Sequence, residues 1–360
     1  MIRQKTPRVT QKDIAHHLSV SQSLVAAVLS NRAGVWVSEE NRLRIQRAAQ
    51  DMHYRPNAAA QSLRNGRSNT VGMVVVSGED GYKSGECGLI TAALVGFSST
   101  HGFDLKFRFF SVGEPILEQL SELVDAGWSD VLVLTGPEAL LEAQGVLLEQ
   151  MRMPFIVIGD LSERYPGWYQ VDFDQEAMMA LSVAHLAAQG HRRLAFIGHL
   201  TTEGYSRRLE VGFSKAVKES FGTAPDETLM GRVLVDTPGE TSATATHFLT
   251  QWLSRPPDEQ PTALVFGASD DGSWREAELA LLQFGRRFGN QPGEIGTAGV
   301  HYTTAPLLFG QASAFLQTDM GRLTDTMCEH LLAPLMEGRQ PESRFLRVCP
   351  ALQPLPTLDL

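Results

Sequence analysis

The chain has 360 residues, of which 43% are hydrophobic and 20% are charged, and its formal net charge is −10. That length is too great for one ordinary core, so two or three domains are expected. The longest apolar runs, such as residues 71–76, are strand-sized, so no membrane-spanning segment is expected. The basic residues near the N-terminus are followed by polar sequence instead of an apolar secretory core, which favours a cytoplasmic protein.

The net charge is distributed unevenly along the chain. Residues 1–69 contain 11 Lys and Arg against 4 Asp and Glu, a net charge of +7, whereas the remainder contains 20 against 37, a net charge of −17. A basic module joined to an acidic body is typical of nucleic-acid binders, because phosphate contacts supply much of their affinity. The alternative interpretation is a solvated basic tail.

The cysteines and the short motifs argue against redox, metal and enzyme chemistry. Cys87, Cys328 and Cys349 are odd in number, widely separated and without a CxxC spacing, which fits a reducing compartment. We expect all three to be buried as small hydrophobic residues. No nucleophile elbow, P-loop, HExxH or dinucleotide fingerprint is found, so the sequence predicts neither an enzyme nor a cofactor or metal site.

The segment 10–53 is predicted to form three short helices, because its apolar residues recur with helical spacing. Thr10 with Asp13 predicts a capping box at the first helix, Ser21 is expected to cap the second, and Ser38 to open the third. Each helix then has one apolar face. Three helices in so few residues suggest a small DNA-binding head.

Residues 9–72 closely resemble the head and hinge of the lactose-repressor (LacI/GalR) family. The match covers the caps, the turn, the third helix, YRPN at 54–57 and AAAQSLRNG at 58–66, in the family's order. The resemblance implies that the second helix enters the major groove, and that the hinge becomes helical when two subunits bind an operator. It therefore implies a homodimer bound to a palindromic operator of double-stranded DNA. The implied DNA-binding residues are Thr10, Ser21, Gln22, Ser23, Ala26, Ala27, Asn31, Tyr54, Asn57, Ala60, Leu63 and Arg64.

The residue types of the hinge also predict a helix. Asn57 can cap it, small or polar residues follow, and Gly66 can end it. A leucine such as Leu63 can wedge between base pairs in the minor groove, which is the role of the matching position in the family. The alternative is a flexible linker whose Leu63 packs on the body.

The second helix departs from the family pattern. Where that pattern reads VSRVL, residues 25–29 read VAAVL, so a phosphate-binding hydroxyl and an arginine are both absent. Gln22 can pair with adenine, Ser23 can contact a base or a phosphate, and Ala26 or Ala27 can meet a thymine methyl. We expect weaker DNA affinity or an atypical operator.

From residue 69 onward, strand-like runs alternate with helical segments, which indicates parallel sheets with helices on both faces. The predicted strands are 71–76, 105–110, 131–134, 155–158, 194–197, 233–235, 263–266 and 295–298. This region resembles the family's effector domain, itself similar to periplasmic sugar-binding proteins. The expected fold class is α/β: an N-terminal three-helix helix-turn-helix head plus a hinge helix, followed by a two-lobed periplasmic-binding-protein-like domain of doubly wound parallel sheets.

The predicted domains are a head at 1–56, a hinge helix and linker at 57–69, and an effector-binding and dimerisation domain at 70–360. The resemblance implies that the chain crosses between lobes again near 300 and near 330. Lobe 1 is therefore expected at about 70–165 and 302–330, and lobe 2 at about 166–301 and 331–360. The tail at 351–360 lacks the leucine heptads that build tetramers, which favours a dimer.

Ligands of open parallel sheets bind beyond the carboxyl ends of the strands, and two facing lobes form a cleft there. The family usually places an effector-gripping arginine where this chain has Leu209, and Arg207 and Arg208 lie just before it. The candidate effector-binding residues are Ser77, Asp80, Asp160, Arg207, Arg208, Asp270, Trp274 and His301.

Several of these candidates also fit structural roles. Asp270 could accept hydrogen bonds from ligand hydroxyls or could serve only in a turn, and a lone loop histidine such as His301 is often structural. Trp274 and Trp168 could stack on a sugar face or belong to the core or the lobe interface.

The sequence as a whole predicts a sequence-specific DNA-binding transcriptional regulator, a repressor, whose operator affinity is controlled by a small molecule. A carbohydrate is the favoured ligand class. Effector binding would move the lobes, change the spacing of the heads and so change hinge-helix formation. The alternatives are a solute-binding protein, or a DNA-binding regulator whose sensor domain no longer binds a ligand, as the altered positions Leu209 and His301 allow.

Overall fold

The computed structural model describes residues 9–29, 36–54, 68–77, 85–200, 204–234, 244–267, 271–289, 291–301, 315–317, 320–349 and 351–353. The chain divides into two compact units, Met1–Ser68 and Asn69–Leu360. The division lies within one residue of the predicted end of the linker at 69. The predicted hinge helix lies almost wholly outside the described residues.

The first unit contains the three predicted helices, α1 (Gln11–Leu18), α2 (Gln22–Leu29) and α3 (Glu39–Asp51). One apolar face of each helix contributes to a shared core, in which Ile14, Val25 and Ile45 are at most 1% exposed. The helical spacing seen in the sequence is therefore the spacing of this core.

The second unit begins with a parallel sheet, and its elements alternate between strand and helix as far as the fourth strand, which the fifth follows directly. They are β1 (Thr70–Ser77), α4 (Gly85–His101), β2 (Asp104–Ser111), α5 (Ile116–Asp125), β3 (Val131–Thr135), α6 (Glu138–Gln150), β4 (Phe155–Ile158) and β5 (Tyr169–Phe173). Strands β3 and β4 are buried at nearly every position, as their continuous apolar runs predict for a sheet covered on both faces.

A second sheet is built from the elements that follow. They are α7 (Gln175–Ala188), β6 (Leu194–Leu200), α8 (Gly204–Phe221), β7 (Met230–Leu234), α9 (Ala245–Leu253), β8 (Ala263–Phe266), α10 (Asp271–Gln283), β9 (Gly296–His301) and β10 (Phe315–Gln317). The predicted α/β class with two lobes of mainly parallel strands is confirmed.

The C-terminal region passes between the lobes twice. Helix α11 (Met320–Met327) continues through a π-helical turn (Cys328–Leu332) into α12 (Ala333–Glu337) and packs on α4. Strand β11 (Phe345–Val348) joins the first sheet, in the order β11-β5-β4-β3-β1-β2, and β12 (Ala351–Gln353) joins the second, in the order β12-β10-β9-β8-β6-β7.

The expected lobe boundaries need correction. Strand β5 belongs to lobe 1, so the first crossing follows residue 173 and not 165. Residues 315–317 still pair with β9 in lobe 2, so the return crossing lies after 317 and not near 300, and the last crossing lies after β11 and not near 330. Each of the strands concerned contains a polar residue, such as Asp172 in β5 or Arg347 in β11, so these strands lack the continuous apolar runs by which β3, β4 and β8 were predicted.

The cysteine prediction holds for two of three positions. Cys87 and Cys328 are buried, and burial raises the pKa of the Cys328 thiol to about 12. Cys349 is exposed, which corrects the expectation that it is buried, because it lies in the short connection between β11 and β12. In the described part of the chain, no helix is long and apolar enough to cross a membrane.

Candidate DNA-binding head and ligand cleft

The capping box at the start of α1 is formed as predicted. The Thr10 backbone N–H donates to Asp13 Oδ2 at 2.7 Å, and the Asp13 N–H donates to Thr10 Oγ1 at 3.3 Å. These bonds from Thr10 hold the pKa of Asp13 below its usual range. Thr10 therefore fixes the beginning of α1, whichever further contacts it makes.

Helix α2 presents polar side chains at its first turn. Ser21 Oγ accepts from the Leu24 N–H at 3.2 Å, which confirms the predicted cap, and lies 3.0 Å from Ser23 Oγ. Gln22 and Ser23 are exposed, whereas Ala26 and Ala27 are half-buried. A helix N-terminus carrying an exposed amide and an exposed hydroxyl has the donors and acceptors needed to contact base edges and phosphates.

The remaining predicted DNA-binding residues are only partly described. Tyr54 is half-buried and packs against the head core, and its N–H donates to the Ala49 carbonyl at 2.8 Å. Tyr54 therefore has a structural role in the head core, whether or not it also contacts DNA. Five further residues lie outside the described part of the chain: Asn31, Asn57, Ala60, Leu63 and Arg64.

In the body, three adjacent strands of lobe 1 bring charged side chains together. Asp160 follows β4, Asp172 lies in β5, and Arg347 lies opposite Asp172 in β11. The side chains of Asp160 and Asp172 are only 6% and 14% exposed. Arg347 Nη2 lies 3.5 Å from Asp160 Oδ2. These groups lie where parallel-sheet proteins bind ligands, at the carboxyl ends of strands.

Arg208 joins this group from the other lobe, because α8 follows β6 of the second sheet. Its Nη2 lies 3.5 Å from Asp172 Oδ2 and its Nε 4.0 Å from Asp160 Oδ2, and Nη1 donates to the Asp160 carbonyl at 3.3 Å. We call Arg208, Asp160, Asp172 and Arg347 the cleft cluster. The cleft cluster spans the two lobes.

The residues on either side of Arg208 do not take its place in the cleft cluster. Leu209 is 3% exposed in the core, and Arg207 is exposed. Of Arg207 and Arg208, it is thus Arg208 that lies next to Asp160 and Asp172, one position before the place that the family resemblance implied. No contact of Arg207 with the cleft cluster is found in the described residues, so Arg207 is not brought to the predicted site.

Asp172 was missed by the sequence reasoning, since β5 was not among the predicted strands. Burial raises the pKa of Asp172 to about 6, against the opposing effects of hydrogen bonds from the Gln175 side chain and the Phe173 N–H and of the Arg208 charge. The acidic run VDFD at 171–174 was the available signal, but only the sheet register brings it beside Asp160.

A second contact links the lobes near the cleft cluster. The Gly204 N–H, at the start of α8, donates to Glu138 Oε2 at 2.6 Å. Glu138 begins α6 in lobe 1 and also pairs with Arg164, whose Nη2 lies 2.5 Å from Glu138 Oε1. Arg164 in turn pairs with Glu142. The beginning of α8 is therefore held to lobe 1 at two points, Gly204 and Arg208.

The other predicted ligand residues fall into two groups. Ser77 ends β1 and His301 ends β9, at strand ends as expected, whereas Asp80 and Asp270 lie outside the described residues. Trp274 must be reassigned, because it is 1% exposed and stacks on Phe266 with ring centroids 4.0 Å apart.

Trp168 likewise belongs to a core, the one formed between α6 and β4, where it is 4% exposed and stacks on Tyr165 at 3.9 Å. Neither Trp168 nor Trp274 therefore offers an open ring face. No group of three or more His, Cys, Asp and Glu side chains that could hold a metal is found among the described residues.

Comparison with known proteins agrees with this architecture. Residues 183–353 match the model of the periplasmic binding protein-like domain. The chain is 44% identical to the sucrose operon repressor of Klebsiella pneumoniae over 72 residues, 20% of this chain and 22% of that protein. It is 26% identical to the HTH-type transcriptional repressor PurR of Salmonella typhi over 348 residues, 95% of each chain.

Two solved structures share the fold. A lac repressor dimer bound to operator and the anti-inducer ONPF has a TM-score of 0.76 at 21% identity, covering 98% of this chain and 100% of that one. A complex of the transcriptional regulator CelR with cellobiose has a TM-score of 0.63 at 20% identity, covering 96% and 98%.

A three-helix head followed by a two-lobed body is the architecture of this chain, and it is the fold that the chain shares with the lac repressor structure. The similarity to a transcriptional repressor extends over 95% of the chain.

Proposed function

We propose that this protein is a homodimeric transcriptional repressor that binds a palindromic operator through its head, and whose operator affinity is set by a small molecule bound between the two lobes. The observation that carries the proposal is the head itself. Its core orders α1, α2 and α3, and α2 presents Gln22 and Ser23 outward at its N-terminus. The sucrose operon repressor and PurR are named as repressors, which supports the same direction of control.

DNA readout is assigned to the first turn of α2. Gln22 can make two hydrogen bonds to adenine, and Ser23 can reach a base or a phosphate. The half-buried Ala26 and Ala27 can contribute only methyl contacts, so affinity rests on few polar groups. We therefore propose an operator that differs from the family's usual one, with the hinge residues Asn57, Ala60, Leu63 and Arg64 and the turn residue Asn31 supplying further contacts.

Ligand binding is assigned to the carboxyl ends of the strands around the cleft cluster. Ser77, Asp80, Asp270 and His301 are proposed to complete the site that Asp160 and Arg208 begin. The lac repressor structure contains ONPF and the CelR structure contains cellobiose, which supports a carbohydrate as the ligand class. We infer no catalytic role, because a site of this kind requires only hydrogen bonds and lobe closure. We propose that the protein acts in the cytoplasm, because its DNA target lies there.

The dimer interface is proposed on exposed apolar side chains that both lobes carry. In lobe 2, Leu279 and Leu282 of α10 are 48% and 41% exposed; in lobe 1, Leu89 and Val95 of α4 are 43% and 47% exposed. Exposed apolar groups three residues apart on one helix, as at Leu279 and Leu282, are typical of contact surfaces. Leu279→Glu should convert the dimer to a monomer in sedimentation analysis. Leu181→Glu, at an exposed leucine of α7, is the matched control and should stay dimeric.

The experiment that tests the function selects genomic DNA fragments with the purified full-length protein and measures their affinity at stated salt. Gln22→Ala should weaken binding to the selected site by about tenfold to a hundredfold, as expected for loss of one bidentate base contact. Gln46→Ala, at an exposed glutamine of α3, is the matched control and should bind within twofold of the wild type. Equal losses in the two variants would overturn the assignment of α2 as the reading helix.

A further inference from the structure

The cleft cluster contains two arginines and two carboxylates at close range. Arg208 contacts both acids, at 3.5 Å for Asp172 and 4.0 Å for Asp160, and Arg347 contacts Asp160 at 3.5 Å. With all four groups ionised, the formal charge of the cleft cluster is zero. A cleft whose arginine is already neutralised differs in chemistry from one whose arginine is free to bind an anion.

The acids lie deeper than the arginine that they neutralise. Asp160 and Asp172 are 6% and 14% exposed, whereas Arg208 is 30% exposed. Solvent and counterions therefore screen the acids weakly, and a ligand that reaches Arg208 also meets their field. An added negative charge would be repelled by both acids, while a hydroxyl would meet carboxylate acceptors and guanidinium donors together.

The Nε–H donor of Arg208 has no hydrogen-bond partner in the part of the chain that the structure describes. Its Nε is buried, and Asp160 Oδ2 at 4.0 Å is beyond hydrogen-bond distance. Because this Nε is buried, a ligand oxygen can accept from it only after the Arg208 side chain shifts, and the exposed part of Arg208 is what a ligand meets first.

We propose that Asp172 is a specificity-determining residue of the cleft: together with Asp160 it neutralises Arg208, so that the cleft takes an uncharged, hydroxyl-bearing ligand and rejects anions such as sugar phosphates and sugar acids. This inference rests on the proposed ligand-binding function and names the ligand class of that same site. The raised pKa of Asp172 supports the shielded position on which the argument depends.

The test uses sulfate as the anionic probe, because its charge is constant between pH 5 and pH 8. Sulfate is titrated at constant ionic strength into the full-length wild type and Asp172→Asn at pH 7.5, and binding is followed by calorimetry and thermal shift. Asp172→Asn leaves Arg208 with only one facing carboxylate, and should bind sulfate at least tenfold more tightly than the wild type. Asp172→Ser is a second variant with the same charge change and should show the same gain.

Two controls localise the effect. Asp172→Asn combined with Arg208→Gln should lose the gain, because the released arginine is then absent. Glu176→Gln makes the same change in net charge on the exposed surface, where Glu176 pairs with Lys215, and should bind sulfate like the wild type. Equal sulfate binding by the wild type and Asp172→Asn, or a gain that survives loss of Arg208, would overturn the proposal.

Acidification provides an independent arm of the test. The titratable and charged groups that face Asp172 are Arg208, Asp160 and Arg347, and the two arginines keep their charge throughout. At pH 5 Asp172 is mostly protonated, so wild-type sulfate affinity should approach that of Asp172→Asn. DNA binding by the wild type and by the same variants is measured separately. If DNA binding is intact and the sulfate predictions fail, this inference alone is rejected. If the wild type does not bind DNA, the proposed function is rejected.

Discussion

Replacing Asp172 by Asn should stabilise the body, and the gain should grow with pH. Burial raises the pKa of Asp172 from 3.8 to about 6, so the native state holds this proton more tightly than the unfolded chain. The stability linked to this group is therefore complete below about pH 4 and is lost as the pH rises through 6. One pKa unit corresponds to about 1.36 kcal/mol, so ionised Asp172 costs the native state about 3 kcal/mol at neutral pH.

The assay is urea denaturation of the full-length protein between pH 5 and pH 8. Unfolding is followed by the fluorescence of the buried indoles of Trp168, Trp252 and Trp274. The free energy of unfolding of Asp172→Asn should exceed that of the wild type at every pH. Roughly half of the total of about 3 kcal/mol should develop between pH 5 and pH 8.

Glu176→Gln is the control, because the pKa of Glu176 is shifted in the opposite direction from that of Asp172. Hydrogen bonding and charge from Lys215 hold the pKa of Glu176 below its usual range, so this carboxylate stabilises the native state at neutral pH and less so in acid. The free energy of unfolding of Glu176→Gln, compared with that of the wild type, should therefore not increase as the pH rises. A constant difference between Asp172→Asn and the wild type across the pH range would refute the reasoning, since it would mean that Asp172 is not ionised at a cost.

Two other predictions concern local packing and capping. Thr10→Ala removes the side-chain half of the capping box and should lower the stability of the head by about 1 kcal/mol, visible as a lower melting temperature by circular dichroism; an unchanged melting temperature would contradict this. Gly145→Ala places a methyl group 2.4 Å from the Trp168 ring and should cost about 1–3 kcal/mol. The control is Gly88→Ala in α4, where the added methyl group meets nothing within 4 Å and should stabilise the protein by about 0.5–1 kcal/mol. A loss of stability in both variants would show that crowding is not the cause.

The head could be predicted from sequence because its signals are local. Thr10 and Asp13 are three residues apart, and the apolar positions that meet in the core repeat within single helices. Ser21 and Ser38 were recognisable as caps for the same reason. The residues that determine these helices are close together in the chain, so the helix boundaries follow from the sequence.

The cleft cluster could be predicted only in part, because it depends on sheet register and on the meeting of two lobes. Asp160 and Arg208 were nominated by strand ends and by the family pattern. Asp172 and Arg347 lie on β5 and β11, whose polar residues interrupt the apolar run expected of a buried strand, and only their pairing brings them beside Asp160. Trp274 was misassigned because the sequence does not show which face of α10 packs on β8.

Footprinting of a selected operator with the full-length protein, with and without Leu63→Ala, tests the central claim most directly. The account predicts a protected palindromic site with distorted DNA at its centre, and protection that is weakened by the substitution because the minor-groove wedge is lost. The absence of any protected site across the salt range would contradict it, and would mean that the head folds around its core without reading DNA.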